Sequence, residues 1–432
     1  MTKFWLFLQL LSEKNSNMFK SLISVISSLL FSFTVFSQEV NEISAPEQIK
    51  TITFKNNTNQ IGFPVIKLGS TFSIEFDVLN GYEDDYYYKI DHYNFDWTKS
   101  QLSKSEYLKG YDNSKIYNYK NSFNTYQIYS HYNLIIPNQE TKIIKSGNYI
   151  VSILNDYEEV VFSKKIIVYE SLSTVEIDVF RSRDLNNINR KQVVQFEVKA
   201  ISNINNPLET IKTLIIQNND LNNSINNLKP QYTLGNRLIY KYDSEASFMG
   251  GNEFLYFENK NIRGSDINIR TFDLKEIYHN YLYPDNPRNN STYTYNPDIN
   301  GNFLVTSVGA EDTDIEADYA KVHFYLNIDK LDIGKSIYVS GNFNGHQLNS
   351  SNKMTYNSLR NNYELELKLK QGFYNYKYSV LDNLNKKIEG YISGNFDETE
   401  NNYKVIIYYR DYGSRYDRVI GYNNINSIKI NN

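Results

Sequence analysis

Apolar and polar residues alternate along most of this 432-residue chain. In Phe72–Val78, apolar side chains share one face and Ser, Glu and Asp the other; Tyr363–Lys370 alternates in the same way. After Gln371–Gly372 the alternation resumes over Tyr374–Val380, and two such runs around a short glycine turn predict a β-hairpin. Beyond the N-terminal leader no segment keeps a period of 3.6 over three turns. We therefore expect an all-β fold of tandem immunoglobulin-like β-sandwich domains.

The first 37 residues are typical of a secretory signal peptide. A basic residue, Lys20, precedes the apolar run Leu22–Phe36, and the small Ser37 precedes the expected cleavage at Gln38. Met18 is a possible true start. A membrane anchor is the alternative, although the run is short and serine-rich for crossing about 30 Å of hydrocarbon. No later run approaches about 20 apolar residues, so we expect an exported chain that is not integral in the membrane.

Composition excludes several kinds of chemistry. The chain has no Cys, which rules out disulfides, thiol catalysis, thiolate metal sites and a lipid-modified N-terminal cysteine. Its formal net charge is only −4, so nucleic acid is not an expected partner. The 39 Tyr and 24 Phe residues favour strands and leave many hydroxyl groups able to face water.

Length and breaks in the pattern predict three domains after the leader, at about 100–150 residues per domain. A proline-rich stretch at Tyr283–Pro297 reads as a linker. The expected boundaries are a signal peptide at 1–37, an N-terminal β-sandwich at 46–170, a middle β-sandwich with linker at 171–310, a C-terminal β-sandwich at 311–422 and a tail at 423–432.

Six segments, the first of them dense in Tyr and Phe, follow one another along the chain. They are His92–Asn138, Leu214–Asp220 (LIIQNND), Gly250–Asn259 (GGNEFLYFEN), Glu316–Leu326 (EADYAKVHFYL), Leu369–Tyr378 (LKQGFYNYKY) and Glu398–Tyr422. In content and order they resemble the plug proteins of the Bacteroidetes type IX secretion system, formerly catalogued as a domain of unknown function. The resemblance covers nearly all of the chain after the leader.

This resemblance implies a non-enzymatic protein that binds the periplasmic mouth of the outer-membrane type IX translocon barrel and closes its pore when idle. It also implies a location in the periplasm, peripheral to the inner face of the outer membrane. The barrel is then the partner, and neither a cofactor nor a small-molecule substrate is expected. Stiff β-domains in series suit a stopper that covers area without chemistry.

A second resemblance concerns the C-terminal domain. Ile337–Leu348 (IYVSGNFNGHQL) resembles the start of the starch- and glycogen-binding immunoglobulin-like (E-set) modules, which stack a Trp on the sugar ring. Gly345 and His346 stand where that Trp is expected. The resemblance therefore implies an E-set-like fold without the sugar platform. The alternative function is a periplasmic or surface glycan-binding protein built of such modules.

Two further patterns invite a metal or acid–base interpretation. Asn296–Asn302 (NPDINGN) is similar to the front half of an EF-hand loop, but Ser307 stands where the closing Glu belongs, which favours an Asn-Gly turn. His92 and His131 both begin the tripeptide HYN. Only five His occur, none in H-x-x-x-H spacing, so we expect structural histidines.

The remaining candidates are acidic and aromatic. The pairs Asp84–Asp85 and Glu311–Asp312 could serve glycoside hydrolysis, although adjacent acids on turns are usually only solvated. Asp96, Trp97 and Tyr107 are the candidate partner-binding residues. Trp97 is the sole Trp after the leader, and it is either a core anchor or an exposed contact for a partner.

Overall fold

In the computed structural model, residues 40–56, 59–202 and 204–428 are described, and the predicted signal peptide lies outside them. The described chain is nearly all β, which confirms the prediction of tandem β-sandwiches, whereas the immunoglobulin-like and E-set-like assignments stay predictions. Within these ranges no helix is long and apolar enough to cross a bilayer. The helical elements are α1 (Lys104–Tyr107), α2 (Pro207–Thr210), α3 (Thr313–Glu316) and the 3-10 turns Asn342–Asn344 and Ser350–Asn352.

Contacts divide the chain into two units. Within the described residues, one contains Asp96–Thr98, and the other contains Glu42–Phe95 and the chain from Lys99 onward. Every strand within the described residues belongs to the second unit, which holds three sandwiches.

The first sandwich packs two five-stranded sheets around an aromatic core. The sheet orders are β2-β1-β4-β9-β8 and β3-β12-β11-β5-β7, and β6 pairs with β10 beside them. Phe76 and Tyr132 stack at 5.2 Å between ring centroids, and both are fully buried. The strands are β1 (Ile49–Asn56), β2 (Asn59–Ile61), β3 (Val65–Lys67), β4 (Phe72–Val78), β5 (Tyr87–Tyr93), β6 (Leu108–Gly110), β7 (Ser114–Lys115), β8 (Tyr119–Asn121), β9 (Ser130–Ile136), β10 (Thr141–Ile143), β11 (Gly147–Leu154) and β12 (Val160–Tyr169).

Seven consecutive strands belong to the second sandwich. Five of them form one complete sheet, and the other two form part of a second sheet. The seven strands are β13 (Ser173–Arg181), β14 (Lys191–Ala200), β15 (Ile211–Gln217), β16 (Asp220–Asn226), β17 (Tyr232–Leu234), β18 (Arg237–Tyr240) and β19 (Ser247–Met249). The sheet β13-β14-β18-β17, with β19 also on β14, is complete, whereas β15 and β16 form only one side of theirs.

The chain then builds the whole third sandwich before it returns. Its strands are β20 (Leu255–Glu258), β21 (Ile269–Leu274), β22 (Tyr278–Leu282), β23 (Phe303–Val305), β24 (Tyr319–Leu326), β25 (Ser336–Ser340), β26 (Thr355–Asn357), β27 (Asn362–Lys370) and β28 (Gly372–Leu381). One sheet has the order β21-β22-β24-β27-β26, and in the other β28 pairs with β20, β23 and β25.

The predicted hairpin at Gln371–Gly372 is wrong. β27 pairs with β24 and β26, and β28 lies in the opposite sheet, so the two runs face each other across the core instead of sharing hydrogen bonds. Alternation fits both arrangements, because each run turns its apolar face toward the same core. The amide of Gln371 holds the crossing: its Nε2 donates to Lys260 O at 2.8 Å and its Oε1 accepts from Asp318 N at 2.8 Å.

The last two strands, β29 (Asn402–Tyr409) and β30 (Arg418–Asn426), return to the second sandwich. β29 pairs with β15 along its full length, from Ile211↔Tyr409 to Gln217↔Tyr403, and completes the sheet β16-β15-β29-β30. This pairing departs from the expected boundaries. β29 and β30 do not belong with a C-terminal domain at 311–422, β30 runs into the expected tail at 423–432, and β20–β23 do not belong with a middle domain at 171–310. The second sandwich is discontinuous, and the third is inserted into it.

Ile407→Ala tests this topology. Ile407 is fully buried in the core of the second sandwich, and its loss should lower the free energy of unfolding by about 2–5 kcal/mol. Ile333→Ala, at a fully exposed Ile, is the matched control, with a change within about 0.5 kcal/mol. Denaturant unfolding measures both. Amide exchange in Ile407→Ala should rise more in β15 than in β24, and the reverse order would contradict the pairing.

Candidate functional site

The predicted partner-binding residues differ in exposure. The Asp96 carboxylate accepts from the backbone N and the Oγ1 of Thr98, at 3.1 and 2.6 Å. Trp97 is 5% exposed, with φ at 58° in the left-handed region. Tyr107 ends α1 and is buried in the core of the first sandwich, 5.5 Å from the ring of His92. The Tyr107 ring therefore has a packing role, and partner binding by the three residues stays a prediction.

The other motif residues mostly make structural contacts. A ring nitrogen of His92 lies 3.2 Å from Ser146 O, and burial lowers its pKa to about 4. Asp298 accepts backbone N–H groups from Phe254 and Asn300, a use typical of a turn. Asp85 pairs with Lys115 at 2.6 Å, and Asp312 accepts from Asp314 N at the start of α3. The two acidic pairs therefore make separate structural contacts, an ion pair at Asp85 and a helix cap at Asp312.

A buried ion pair joins the first sandwich to the third. Lys370, the last residue of β27, lies 2.7 Å from Oδ2 of Asp77 on β4, and both side chains are 1% exposed. The Tyr319 hydroxyl donates to the same Oδ2 at 2.6 Å, and Nδ1 of His131 lies 2.7 Å from Oδ1. The Lys370 ammonium also donates to Asp314 O and lies 4.2 Å from the centroid of the Tyr129 ring. Every charged atom of the pair is therefore satisfied.

Electrostatics favour the charged pair. Burial alone would raise the pKa of Asp77, but the Lys370 ammonium and the His131 hydrogen bond outweigh it and hold the pKa below the ordinary 3.8. A carboxyl with a lowered pKa in the folded state stabilises the fold above its ordinary pKa. That contribution is lost as pH falls through the folded value.

A second ion pair flanks this seam. The Lys55 ammonium lies 2.6 Å from Glu75 and 2.9 Å from Asp314, so it fills the space between two carboxylates of different sandwiches. On the same side, the Asp318 carboxylate accepts the backbone N–H groups of Tyr126 and Gln127 at 2.7 and 3.0 Å. The seam is therefore polar, with a buried ion pair at Lys370–Asp77 and partly exposed ion pairs at its edge.

A different set of contacts joins the first sandwich to the second. The Tyr408 hydroxyl donates to Oδ1 of Asn148 at 2.8 Å. The Lys404 ammonium donates to Phe63 O at 2.6 Å, and burial without a carboxylate partner lowers its pKa to about 7. The buried Asp417 carboxylate accepts from Phe95 N at 3.0 Å.

The second and third sandwiches are tied where the chain passes between them twice. Nδ2 of Asn401 donates to Oε1 of Gln192 at 3.1 Å and to Gly250 O at 2.9 Å, and Asn218 donates to Oδ1 of Asn401 at 2.6 Å. Gly250 belongs to the outgoing connection and Phe396 to the returning one. A Cβ on Gly250 would lie 1.9 Å from Phe396 O, so only glycine allows the two connections to approach this closely.

These seams explain where several quoted segments lie. LIIQNND supplies Asn218, GGNEFLYFEN supplies Gly250, and LKQGFYNYKY supplies Lys370. Sequence reasoning missed them as a group because each lies in a separate strand or loop. It also missed Asp77, since a polar residue on an alternating strand is expected to face water. The polar contacts between the sandwiches hold the three sandwiches together as one body.

A family model described as the first domain of the type 9 secretion system plug protein matches residues 49–170, the extent of the first sandwich. The chain belongs to the type IX secretion plug family. The plug family is a structural, envelope-associated component of that secretion system, so this plug-family chain has a role in type IX secretion.

One solved structure shares the fold over 90% of this plug-family chain. A hypothetical protein from Parabacteroides merdae ATCC 43184, known from a crystal structure, is 32% identical. The match covers 90% of this chain and 100% of that one, with a TM-score of 0.86. The B domain of a biofilm-associated protein is 6% identical over 90% of this chain and 88% of that one, and its TM-score of 0.17 carries no argument. No protein with a curated description matches.

Lys370→Met tests the seam between the first and third sandwiches. It leaves the Asp77 carboxylate buried without its cation, so the free energy of unfolding should fall by about 3–5 kcal/mol. The double variant Asp77→Asn/Lys370→Met should recover part of this loss, because neither charge remains. Lys335→Met, at an exposed pair with Asp332, is the control and should change little. Equal effects of Lys370→Met and Lys335→Met in urea unfolding would contradict a buried pair.

Lys404→Met tests the seam between the first and second sandwiches through pH. The unfolded lysine binds a proton up to about pH 10.4, whereas the folded one loses it near 7. Stability of the unaltered chain should therefore rise with pH between these values, by up to about 1.4 kcal/mol per unit, and Lys404→Met should lack this rise. The measurement is the difference in unfolding free energy between the two proteins from pH 6 to 9.5. A difference independent of pH would show that the buried ammonium keeps its ordinary pKa.

Proposed function

We propose that this chain binds the periplasmic mouth of the type IX translocon barrel and closes its pore when idle, without catalysing a reaction. The match of the first sandwich to the plug family carries the proposal. It implies a location in the periplasm, peripheral to the inner face of the outer membrane. The barrel is then the protein partner, and no nucleic acid, cofactor or small-molecule substrate is required.

The buried seams support this proposal in mechanical terms. A stopper must keep its outline against a pore wide enough for folded cargo, and hinged domains would leave gaps. Here the ion pair Lys370–Asp77 ties the first sandwich to the third. Two connections, rather than one, link the second and third sandwiches. Motion of one sandwich against another would break charged hydrogen bonds that are buried from solvent.

The contact with the barrel is assigned to exposed aromatic side chains of the first sandwich. Tyr82, Tyr117 and Phe123 are 70, 78 and 67% exposed, and aromatic residues are enriched in protein interfaces. This is the sandwich that the family model covers. An interface of about 1,200–2,000 Å² is expected for a stable complex, and three aromatic anchors are enough to supply its hot spots.

Permeability tests the proposal. Deletion of this chain, with the translocon barrel retained at its normal level, should make the outer membrane permeable to large antibiotics that are otherwise excluded. The barrel should also co-purify with the chain from native outer membranes. Unchanged antibiotic sensitivity in the deletion strain would contradict plugging.

Serine substitution of Tyr82, Tyr117 and Phe123 together tests the assigned contact. The triple variant should fold normally, lose the barrel in co-purification and reproduce the permeable phenotype. The matched control changes Ile333, Leu359 and Leu384 to Ser; these are exposed residues of the third sandwich at 105, 95 and 81%. Equal retention of the barrel by both variants would exclude the aromatic set as the contact while leaving the deletion result to judge plugging.

A further inference from the structure

A second cluster of histidine and carboxylate side chains lies on three adjacent strands of the third sandwich. His279 on β22, His323 on β24 and Glu366 on β27 each offer one ligand atom, and these atoms lie within 4.8 Å of one another. Nδ1 of His279 is 2.8 Å from Nε2 of His323, and the same Nε2 is 3.6 Å from Oε2 of Glu366.

Sheet register explains why the three meet. His323 pairs directly with Glu366 across the antiparallel β24–β27 ladder and with Tyr281 across the parallel β22–β24 ladder. His279 precedes Tyr281 by two residues and therefore projects from the same face of the sheet. The Tyr281 ring stacks on His323, with centroids 4.3 Å apart and planes at 14°, which fixes the rotation of that imidazole. Three adjacent strands thus hold the ligand atoms without any loop.

The spacing suits one metal ion. Zn²⁺ binds His nitrogen and carboxylate oxygen at about 2.0–2.2 Å, so tetrahedral ligand atoms lie roughly 3.3 Å apart. The nitrogen–nitrogen separation of 2.8 Å and the nitrogen–oxygen separation of 3.6 Å lie on either side of that value. The Glu366 side chain is 41% exposed and that of His323 is 18% exposed, so a water molecule could take a fourth position from the solvent side.

We propose that His279, His323 and Glu366 form a site for a divalent transition metal of the zinc class on the outer face of the third sandwich. Two imidazoles and one carboxylate are a ligand set that suits Zn²⁺, Ni²⁺ and Cu²⁺ and disfavours Ca²⁺ and Mg²⁺, which prefer oxygen ligands alone. The ion would clamp β22, β24 and β27 together and keep an open coordination position facing outward.

The other cluster of possible metal ligands among the described residues is already neutralised by a lysine. Glu75, His131 and Asp314 also bring three ligand atoms together. There the Lys55 ammonium already lies 2.6 and 2.9 Å from the two carboxylates, so a lysine supplies the positive charge. In the proposed site the Lys321 ammonium pairs with Oε1 of Glu366 at 2.9 Å, and the Lys275 ammonium donates to the Tyr281 hydroxyl at 3.3 Å. Lys321 is therefore a competitor for Glu366, and not an occupant.

Zinc titration of the full chain, purified without a histidine tag and stripped with a chelator, tests the site. Calorimetry should give saturable binding of Zn²⁺ with a stoichiometry of one, and no heat with Mg²⁺ or Ca²⁺ at the same concentration. Co²⁺ should give the visible absorption of a four- or five-coordinate ion. Absence of saturable Zn²⁺ binding, or equal binding of Ca²⁺, would overturn the proposal.

Variants that should weaken or strengthen Zn²⁺ binding distinguish this site from adventitious binding elsewhere on the protein. His323→Ala and the surface change Glu366→Gln should each weaken Zn²⁺ binding at least about tenfold. Lys321→Ala should strengthen it, because Glu366 then loses its competing partner. Glu364→Gln is the matched control, since Glu364 lies two residues away on the same strand in an ion pair with Arg360. Unchanged affinity in both Glu366→Gln and His323→Ala, with melting temperatures of the metal-free proteins preserved, would contradict the assignment.

Discussion

The buried ion pair between Lys370 and Asp77 is the constraint on which the arrangement of the sandwiches depends. Two charges removed from water are tolerable only when their geometry is good and their remaining hydrogen-bonding capacity is used. Here Tyr319, His131 and the backbone of α3 satisfy that requirement. Any shift of the third sandwich against the first would separate the charges in a dry seam. The pair therefore selects one docking geometry, whatever its net contribution to stability.

The path of the chain also restricts how the sandwiches can move against one another. Because β29 pairs with β15 after an excursion of almost 200 residues, the second sandwich cannot be completed until the third has been built. The inserted sandwich is then held by two connections, which meet at Gly250 and Asn401. A single linker permits rotation, whereas two closely packed connections permit little. Rigidity here is thus a property of chain path as well as of contacts.

The sequence was informative about local structure and weak about pairing. Alternation in Phe72–Val78 and Tyr363–Lys370 predicted strands, and both runs are strands. Alternation carries no record of which strand lies alongside, so the hairpin at Gln371–Gly372 and the boundary at 310–311 did not match the pairing found. The resemblance supplied the family without locating a partner surface.

Candidate residues were hard to predict for a related physical reason. Asp77 and Glu75 stand on the polar face of an alternating strand, which is normally the face in water. In the structure every residue of β4 is buried, because the third sandwich covers that face. His279, His323 and Glu366 come together only through the register of β22, β24 and β27. In each case the sequence does contain a signal, which is a titratable residue within a strand-like run. The residue that it contacts lies on another strand, so the sequence alone does not show the contact.

Polar seams have a consequence for how the three sandwiches assemble. An apolar seam would leave an exposed hydrophobic surface on each sandwich until the sandwiches had docked. Such surfaces promote aggregation during folding. The polar face of β4, with Glu75 and Asp77, can instead stay hydrated until the third sandwich brings Lys370 to Asp77. The same charges that keep the separate faces soluble become a specific lock once water is excluded. The first and third sandwiches can therefore form with their facing surfaces hydrated and then dock through a specific ion pair.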